Sequence, residues 1–236
     1  MTPTATSTAP VSVVLPVRDG ERYLAEALDS VLGQVPAPCE VVVVDDGSKD
    51  RSVAIAEAAD GPVRVIRTPP RGVWPATNRG IADVSASLLA FIDADDRWTP
   101  GRLAEQVAVL DADPQMDAVG GQVASFYSPD LSTEERHRRR ATEALLDGFV
   151  MGAIVFRRAA FEQVGPFDEE QRLGGLIDWW ARAQDVGLRV HHLDRVTLER
   201  RIHAANTTTV TPDLPAQYAR ALKLSLDRRR TREAGP

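Results

Sequence analysis

Three carboxylates stand within four residues in the stretch Leu88–Pro100, which reads LLAFIDADDRWTP. Asp93, Asp95 and Asp96 follow an apolar run that is too short for an isolated helix and suits a strand buried on both faces of a parallel sheet. Acids this close repel one another at neutral pH unless they share a positive charge. Their oxygens suit a hard divalent cation, with a phosphorylated ligand completing its shell. The alternative interpretation is a solvated, Asp-rich turn that caps a helix.

The elements around these acids indicate where they lie in a fold. Thr99 and Pro100 supply an N-cap and a first-turn signal, which predict a helix from Pro100 to about Leu110. The acids therefore follow the end of a central strand. In open α/β sheets the carboxyl ends of the strands border the ligand crevice, so we expect the acids to face a bound ligand.

The first half of the chain alternates between strand and helix patterns. Apolar runs predict strands over 11–17, 39–44, 62–66 and 88–92, with helices between them over 21–34, up to about 59, and over 76–85. Right-handed crossovers would build a Rossmann-like half with Asp45, Asp46 and the later acids on one edge of the sheet. No GxGxxG motif follows the first strand, so dinucleotide binding has little support.

The second half is less regular. Its patterns predict strands over 117–127, 149–156, 189–193 and 196–202, helices over 158–164 and 178–187, and a mobile polar excursion over 128–148. We therefore expect one α/β domain over 11–210, with a nucleotide half over 11–110 and an acceptor half over 111–210. A disordered lead-in over 1–10 and a C-terminal helix with a basic tail over 211–236 flank it.

Composition limits the class of protein. The 236 residues are 43% hydrophobic and 26% charged, which is ordinary for a soluble globular protein with a sizeable core. The net charge of −6 argues against nucleic acid as the main partner. The single Cys39 fits a reducing cytosol, and no apolar run approaches the roughly 18 to 20 residues that cross a bilayer. We expect a cytoplasmic protein, with the inner membrane surface as an alternative location and homodimerisation left open.

Several motifs, in order, resemble those of glycosyltransferase family 2, the inverting glycosyltransferases of the GT-A fold. They are VSVVLPVRDG, VVVVDDGSKD, NRGI, FIDADDRWTPGRL, VGPFDE, LIDWWARAQDVG and RIHAANTT, and they cover about residues 11–210. The resemblance implies a GT-A-type domain with a central mixed, mostly parallel sheet. It also implies transfer of one sugar from a UDP-, GDP- or TDP-linked donor to a hydroxyl acceptor, which would be a sugar, a lipid-linked sugar, a peptide or a small molecule.

The resemblance further implies which residues bind the donor. The residues implied to contact the nucleotide or its sugar are Pro16, Val17, Asp19, Asp45, Asp46, Asn78, Asp93 and Asp95. Asp46, with Asp45, would hydrogen-bond the base, although a plain Asp-Gly turn with helix capping is the alternative. Asp96 and Asp95 would hold Mn²⁺ or Mg²⁺ on the diphosphate, where the ion acts as a Lewis acid. His203 would complete the metal shell or touch the diphosphate, or it is an ordinary histidine at a strand end.

Asp178 is the implied catalytic base, placed at a helix N-terminus whose dipole keeps it ionised. An N-cap role is the alternative for Asp178. Trp179 and Trp180 would offer a sugar-stacking face for the acceptor, whereas large aromatics at a helix start are more often core.

The chain departs from the family pattern at Arg18, Asp19, Thr77 and Ile177, the last of which replaces the acid before the base. A degenerate protein that binds a nucleotide sugar without turnover therefore remains an alternative. A sugar-phosphate nucleotidyltransferase and a phospho-receiver module are weaker ones, because PVRDG is not a Gly-rich phosphate loop and a receiver would be nearer half as long. The arginines of 128–148 and of the tail would approach an anionic acceptor or membrane, unless they are a solvated charge run.

Overall fold

The computed structural model describes residues 9–143, 150–171 and 174–206, and four helical positions in the tail, Ala219, Lys223, Asp227 and Arg230. Most of the lead-in predicted over 1–10, and most of the tail predicted over 211–236, lie outside these residues. Within the described part of the chain, every helix is too short or too polar to span a lipid bilayer.

Strands and helices alternate as far as the acidic loop. The first elements are β1 (Ala9–Val17), α1 (Leu24–Leu32), β2 (Pro38–Asp45), α2 (Ser52–Glu57), β3 (Val63–Arg67), α3 (Val73–Asp83) and β4 (Leu88–Phe91). The later elements are β5 (Arg97–Trp98), α4 (Arg102–Ala112), β6 (Ala118–Tyr127), α5 (Thr133–Glu143), a 3₁₀ turn (Met151–Ala153), β7 (Val155–Arg157), α6 (Arg158–Val164), α7 (Gly175–Asp185) and β8 (Val190–Ile202).

The described strands form one mixed sheet in the order β3-β2-β1-β4-β7-β6-β8-β5. Strands β3, β2, β1 and β4 are parallel neighbours, and β7 runs antiparallel between β4 and β6. The chain winds outward from β1 to β3 and then returns to place β4 on the other side of β1. This reversal is a topological switch point, and the crevice that such sheets use for ligands lies beyond the carboxyl ends of β1 and β4. The α/β class and the mostly parallel sheet are as expected.

The central strands are buried on both faces, which explains their continuous valine runs. Val13, Val14 and the segment Val41–Val44 have no exposed surface. Helix α3 packs closely on this layer, because a Cβ built on Gly80 would lie 2.5 Å from Cγ1 of Val14. Glycine at this position thus sets how near α3, and the loop that precedes it, can come to the sheet.

The second half adds an aromatic cluster to the same core. Trp179 is fully buried, stacks on Phe161 at 4.7 Å between ring centroids and donates from Nε1 to the Gly165 carbonyl at 2.9 Å. The expectation that Trp179 offers a sugar-stacking face is therefore wrong, since both its rings and its polar atom are used inside the protein. Trp180 is half-buried and packs edge-on against Trp179, so its acceptor role stays a prediction.

Part of the excursion predicted over 128–148 forms helix α5, and residues 144–148 lie outside the described residues. A capping box begins this helix: Ser132 Oγ accepts from the Glu135 N–H at 3.2 Å, and the Glu135 carboxylate accepts from the Ser132 N–H at 2.9 Å. Arg136 turns inward, donating from Nε to the Leu131 carbonyl at 3.0 Å. Arg136 therefore stabilises the local fold.

Two boundaries in the second half also differ. The strand predicted over 149–156 is a 3₁₀ turn followed by β7, with Phe149 outside the described residues. Helix α7 begins at Gly175, not at Asp178, and its N-cap residue is Gly174. Asp178 consequently lies inside the first turn, and the alternative of an N-cap role is wrong.

Candidate active site

The three predicted acids come together beyond the end of β4. One carboxylate oxygen from each of Asp93, Asp95 and Asp96 lies within 4.8 Å of the other two. Asp93 is exposed, Asp95 is half-buried and Asp96 is only 3% exposed. The loop after β1 lies against them, since a Cβ built on Gly20 would lie 3.4 Å from the Cβ of Ala94. The cluster therefore borders the crevice at the switch point.

Crowding makes negative charge costly in this cluster. Asp93 is an exposed residue, but protein atoms crowd its carboxyl group, and this desolvation followed by the Asp95 charge raises the pKa of Asp93 to about 6. Burial, and then repulsion from Asp95 and Asp93, raise the pKa of Asp96 well above its ordinary value. The positive charge of Arg200 offsets part of both shifts.

These residues fit a divalent cation. The donor set is three carboxylates within reach of one ion, which is the oxygen-rich set that Mg²⁺ and Mn²⁺ prefer. A bound cation would also favour the ionised acids and so remove the cost that raises their pKa values.

Arg201, near the C-terminal end of strand β8, holds the acidic loop and was missed by the sequence reasoning. Its backbone N–H donates to Oδ1 of Asp96 at 2.9 Å, and its Nε donates to the backbone carbonyl of Asp95 at 3.0 Å. The guanidinium also pairs with Glu26 and lies over the rings of Tyr23 and Phe126. No local pattern marks this role, because the partners are more than a hundred residues apart in the sequence.

His203 lies beside the cluster. Its Nε2 is 2.8 Å from Oδ2 of Asp95, and its Nδ1 accepts from the Ala205 N–H at 3.3 Å. A role for His203 in the metal shell or at the diphosphate stays a prediction.

The two acids after β2 accept hydrogen bonds from the backbone of the loops around them. Asp46 is buried and accepts the N–H of Arg71 at 2.7 Å on Oδ1 and the N–H of Gly72 at 2.9 Å on Oδ2, at the start of α3. Arg18 approaches the same carboxylate at 3.8 Å. Asp45 accepts the Ser48 N–H at 3.1 Å. The Asp45 contact is the turn contact of the alternative interpretation, whereas Asp46 binds the loop that precedes α3. A contact of either acid with a base stays a prediction.

The end of β1 offers less exposed side-chain surface to a nucleotide than expected. Val17 is buried, and its carbonyl accepts the Asp46 N–H at 2.8 Å, so its side chain does not line an open pocket. Asp19 is exposed and adopts a positive φ of 50°. Its Oδ1 accepts the Lys49 N–H at 2.7 Å, which ties the β1 loop to the β2 loop. The half-buried Pro16 and Asp19 stay as predicted nucleotide contacts.

Asn78 has a structural role, and its predicted contact with the donor stays a prediction. Its Oδ1 accepts the Phe167 N–H at 2.9 Å, and its Nδ2 donates to the Phe167 carbonyl at 2.9 Å and to Oε1 of Glu169 at 3.2 Å. The amide is thus used on both sides to fasten the turn after α6 to helix α3. The partner lies 89 residues away, and no local pattern could have revealed it.

Asp178 is committed to an ion pair. Its side chain is 2% exposed, and Oδ2 accepts from Nε of Arg182 at 2.9 Å. Arg182 also donates to the carbonyls of Val164 and Pro166 at 2.6 and 2.7 Å, which joins α7 to the turn after α6. The pair fixes the orientation of the carboxylate. A role for Asp178 as base stays a prediction.

Comparisons with known proteins identify the family. Residues 12–165, more than half of the chain, match the model described as glycosyl transferase family 2. The chain belongs to glycosyl transferase family 2. Relatives in this family-2 comparison include the succinoglycan biosynthesis protein ExoU of Rhizobium meliloti, 32% identical over 79% of this chain and 60% of ExoU. An uncharacterized glycosyltransferase of Rickettsia prowazekii is 26% identical over 88% of this chain and 69% of its own length.

Solved structures show that this family-2 chain has the GT-A fold. TarS of S. aureus, crystallised as residues 1-349 with UDP-GlcNAc, superposes with a TM-score of 0.73 over 91% of this chain and 65% of that structure, at 19% identity. The same protein with UDP gives a TM-score of 0.69. The chain thus spans less than two thirds of the TarS structures, and the likeness shows the fold.

Proposed function

We propose that this protein transfers a single glycosyl group from a nucleoside-diphosphate sugar to an acceptor hydroxyl, with inversion and with the help of Mn²⁺ or Mg²⁺. The acid cluster beyond β4, beside the switch point of the sheet, is the observation that carries the proposal. TarS was crystallised with UDP and with UDP-GlcNAc, which supports a nucleoside-diphosphate donor and makes UDP-sugars the first to test.

Four residues of the chain would stabilise the leaving group or orient the donor. Asp95 and Asp96 would hold the cation, which when bound would neutralise negative charge on the departing diphosphate. Arg200, whose charge already acts on Asp93 and Asp96, would add a second positive charge near the phosphates. Asp93 would be left to orient the donor sugar or ribose by accepting a hydroxyl hydrogen bond.

Asp178 is the base in this proposal. The acceptor oxygen would form a bond to the anomeric carbon on the face opposite the diphosphate, the carbon–oxygen bond to the diphosphate would break, and the hydroxyl proton would pass to Asp178. An acceptor hydroxyl is a far weaker acid than a carboxylic acid, so proton transfer would accompany bond formation and would not precede it. Arg182 would orient the carboxylate through Oδ2.

Two observations favour a second candidate function, binding of a nucleotide sugar without turnover. Asp178 is nearly closed off within its ion pair, and Ile177 stands where the family has an acid. Both features would leave donor binding intact while weakening the base.

A thermal-shift panel of UDP-, GDP- and TDP-sugars, each with and without Mn²⁺, tests donor binding. A donor at about 100 times its Kd stabilises the protein by roughly 2.7 kcal/mol, so the correct nucleotide should raise the melting temperature only with the metal. Asp96→Asn should remove the metal-dependent part, whereas the exposed Asp111→Asn should not. No metal-dependent shift with any donor would overturn the proposed cation site.

Release of nucleoside diphosphate from the donor identified in this way separates the two functions. A transferase should release it faster with candidate acceptors, and the product's anomeric configuration by NMR should be opposite to that of the donor. Tight, metal-dependent binding with no release above the protein-free rate would favour the binding protein.

A further inference from the structure

Trp74 contacts the helix that carries Asp178 and follows directly on the loop that Asp46 holds. It stands in the first turn of α3, just after Gly72, whose N–H donates to Oδ2 of Asp46 at 2.9 Å. Its indole reaches the start of α7, because a Cβ built on Gly175 would lie 2.6 Å from Nε1 of Trp74 and 2.9 Å from its Cε2. Asp178 lies about one turn further along α7. A single side chain therefore connects the loop after β3 with the helix of the proposed base.

A second contact holds the Trp74 ring in place. The ring stacks on Phe167 with 4.6 Å between centroids and 27° between the ring planes, and such aromatic pairs are favourable. Asn78, one turn along α3, holds the backbone of the same residue: it accepts the Phe167 N–H and donates to the Phe167 carbonyl, both at 2.9 Å. Trp74 therefore cannot swing away from α7 without giving up this stack.

Glycine at position 175 makes room for Trp74. Gly175 lies within α7 and its φ is not positive, so its backbone conformation does not require glycine. Glycine is also the weakest helix former after proline. Non-bonded carbon atoms pack at about 3.5–4.0 Å, so a methyl group at this position would push either the indole or α7 away. The close approach of α3 and α7 therefore depends on the absence of a side chain at residue 175.

The turn after α6 holds α7 at a second point. Arg182 donates to the carbonyls of Val164 and Pro166 at 2.6 and 2.7 Å and to Oδ2 of Asp178 at 2.9 Å. The contacts of Trp74 and Arg182 thus lie on either side of Asp178 along the helix. Together they fix α7, and with it the carboxylate, against the rest of the domain.

We propose that Trp74 is a positioning residue of the glycosyl transfer. By packing against Gly175, it fixes the distance between the loop held by Asp46, where the nucleotide is predicted to bind, and the carboxylate of Asp178. The inference rests on the proposed function, in which Asp178 is the base and the donor lies at the carboxyl edge of the sheet.

Two substitutions that compensate each other test this role through the reaction. Gly175→Ala adds a methyl group where Trp74 lies, and Trp74→Leu removes Nε1 and Cε2, so each should displace Asp178. A displacement of about 1 Å can cost about 100-fold in rate, and we expect kcat to fall about 10- to 100-fold in each single variant. The Kd of UDP with Mn²⁺, measured by calorimetry, should stay within about threefold of the parent value. The double variant should lose less than the product of the two single losses, because the added methyl fills the space that the indole leaves.

Leu110→Ala, a truncation of a fully buried side chain in α4, is the matched control for lost stability. Measured well below its unfolding transition, it should keep kcat within about threefold of the parent. Three results would each overturn the inference: an equal fall of kcat in the control, a weakening of UDP binding that matches the fall of kcat, or single losses that multiply in the double variant.

Fluorine NMR tests the placement of Trp74 without relying on turnover. The chain has four tryptophans, so a 5-fluorotryptophan-labelled protein gives four resonances, of which Trp74→Leu identifies one. Relative to Mg²⁺ alone, UDP with Mg²⁺ should shift the Trp74 resonance of the parent, and Gly175→Ala should shift it in the nucleotide-free protein. Absence of either shift would overturn the inference. If the parent shows no transfer, the proposed function fails, while these spectra still decide whether Trp74 lies between the nucleotide site and α7.

Discussion

The buried pair of Asp178 and Arg182 gives a prediction that weighs a structural role against a catalytic one. Asp178→Asn keeps the shape of the side chain and removes its charge. Arg182 then faces a neutral amide in place of a carboxylate that had almost no contact with water. We expect the variant to fold and to be less stable than the parent.

The size of the expected stability loss depends on the hydrogen bonds that Arg182 retains in the variant. Removing one partner of a fully buried pair costs about 3–5 kcal/mol. Here Arg182 retains two carbonyl acceptors and is 22% exposed, and the Asn oxygen can still accept a hydrogen bond. These compensations lower the expected loss to about 2–3 kcal/mol. For a chain of this length that corresponds to a melting temperature lower by about 4–12 °C.

A double-mutant cycle in urea tests the pair. Asp178→Asn, Arg182→Gln and the double variant should show a coupling energy of about 1 kcal/mol or more, as contacting charged partners do. Losses that add to within about 0.5 kcal/mol would refute the ion pair as a stabilising contact. Transfer should be measured well below each unfolding transition. If Asp178 is the base, its variant should lose transfer, while Gly80→Ala, which is destabilised away from this pair, should retain much more. Equal losses in Asp178→Asn and Gly80→Ala would leave only the structural role.

Two further predictions concern packing and charge. Gly80→Ala should destabilise the protein by about 1–3 kcal/mol of overpacking, less the roughly 1 kcal/mol that alanine gains in a helix, because its Cβ would meet Val14 and Val44 at 2.5 and 3.0 Å. An unchanged or higher melting temperature would show that α3 is not so close to the sheet. In the metal-free protein, the raised pKa of Asp93 means that the folded state binds a proton more tightly than the unfolded chain. Its contribution to stability should therefore be present below about pH 4 and be lost as the pH rises to about 6. Denaturant unfolding of the parent and Asp93→Asn over this range should show the parent's relative stability falling with pH, and a rise would contradict the shift.

The sequence predicts the first half well for a physical reason. Val41–Val44 and similar runs belong to strands buried on both faces, so a continuous apolar run is an unambiguous signal there. The acids after β4 are also predictable, because one strand end places all three of them within reach of one ion.

Other contacts were not predicted, either because the two partners are distant in the sequence or because a local sequence signal was not used. Arg201 meets Asp96, and Asn78 meets Phe167, only because the sheet brings separate segments together. Two signals were local: Ser132 and Glu135 form a capping box, and Asp178 and Arg182 stand four residues apart on one helix face. The second spacing indicates an ion pair as directly as it indicates a base.

The family match covers the three acids but not the residues that hold them in place. The family match ends at residue 165, yet the acids are gripped by Arg201, His203 and Asn206, which lie beyond it. Strand β8 reaches the acids because it runs beside β6 and pairs with β5, the two-residue strand that directly follows Asp96. The geometry of the predicted cation site is therefore determined by the second half of the sheet, although its three acids come from the first. It follows that changes in β8 should alter cation binding before they alter the packing of the nucleotide half, where β8 has no neighbouring strand among β1 to β4.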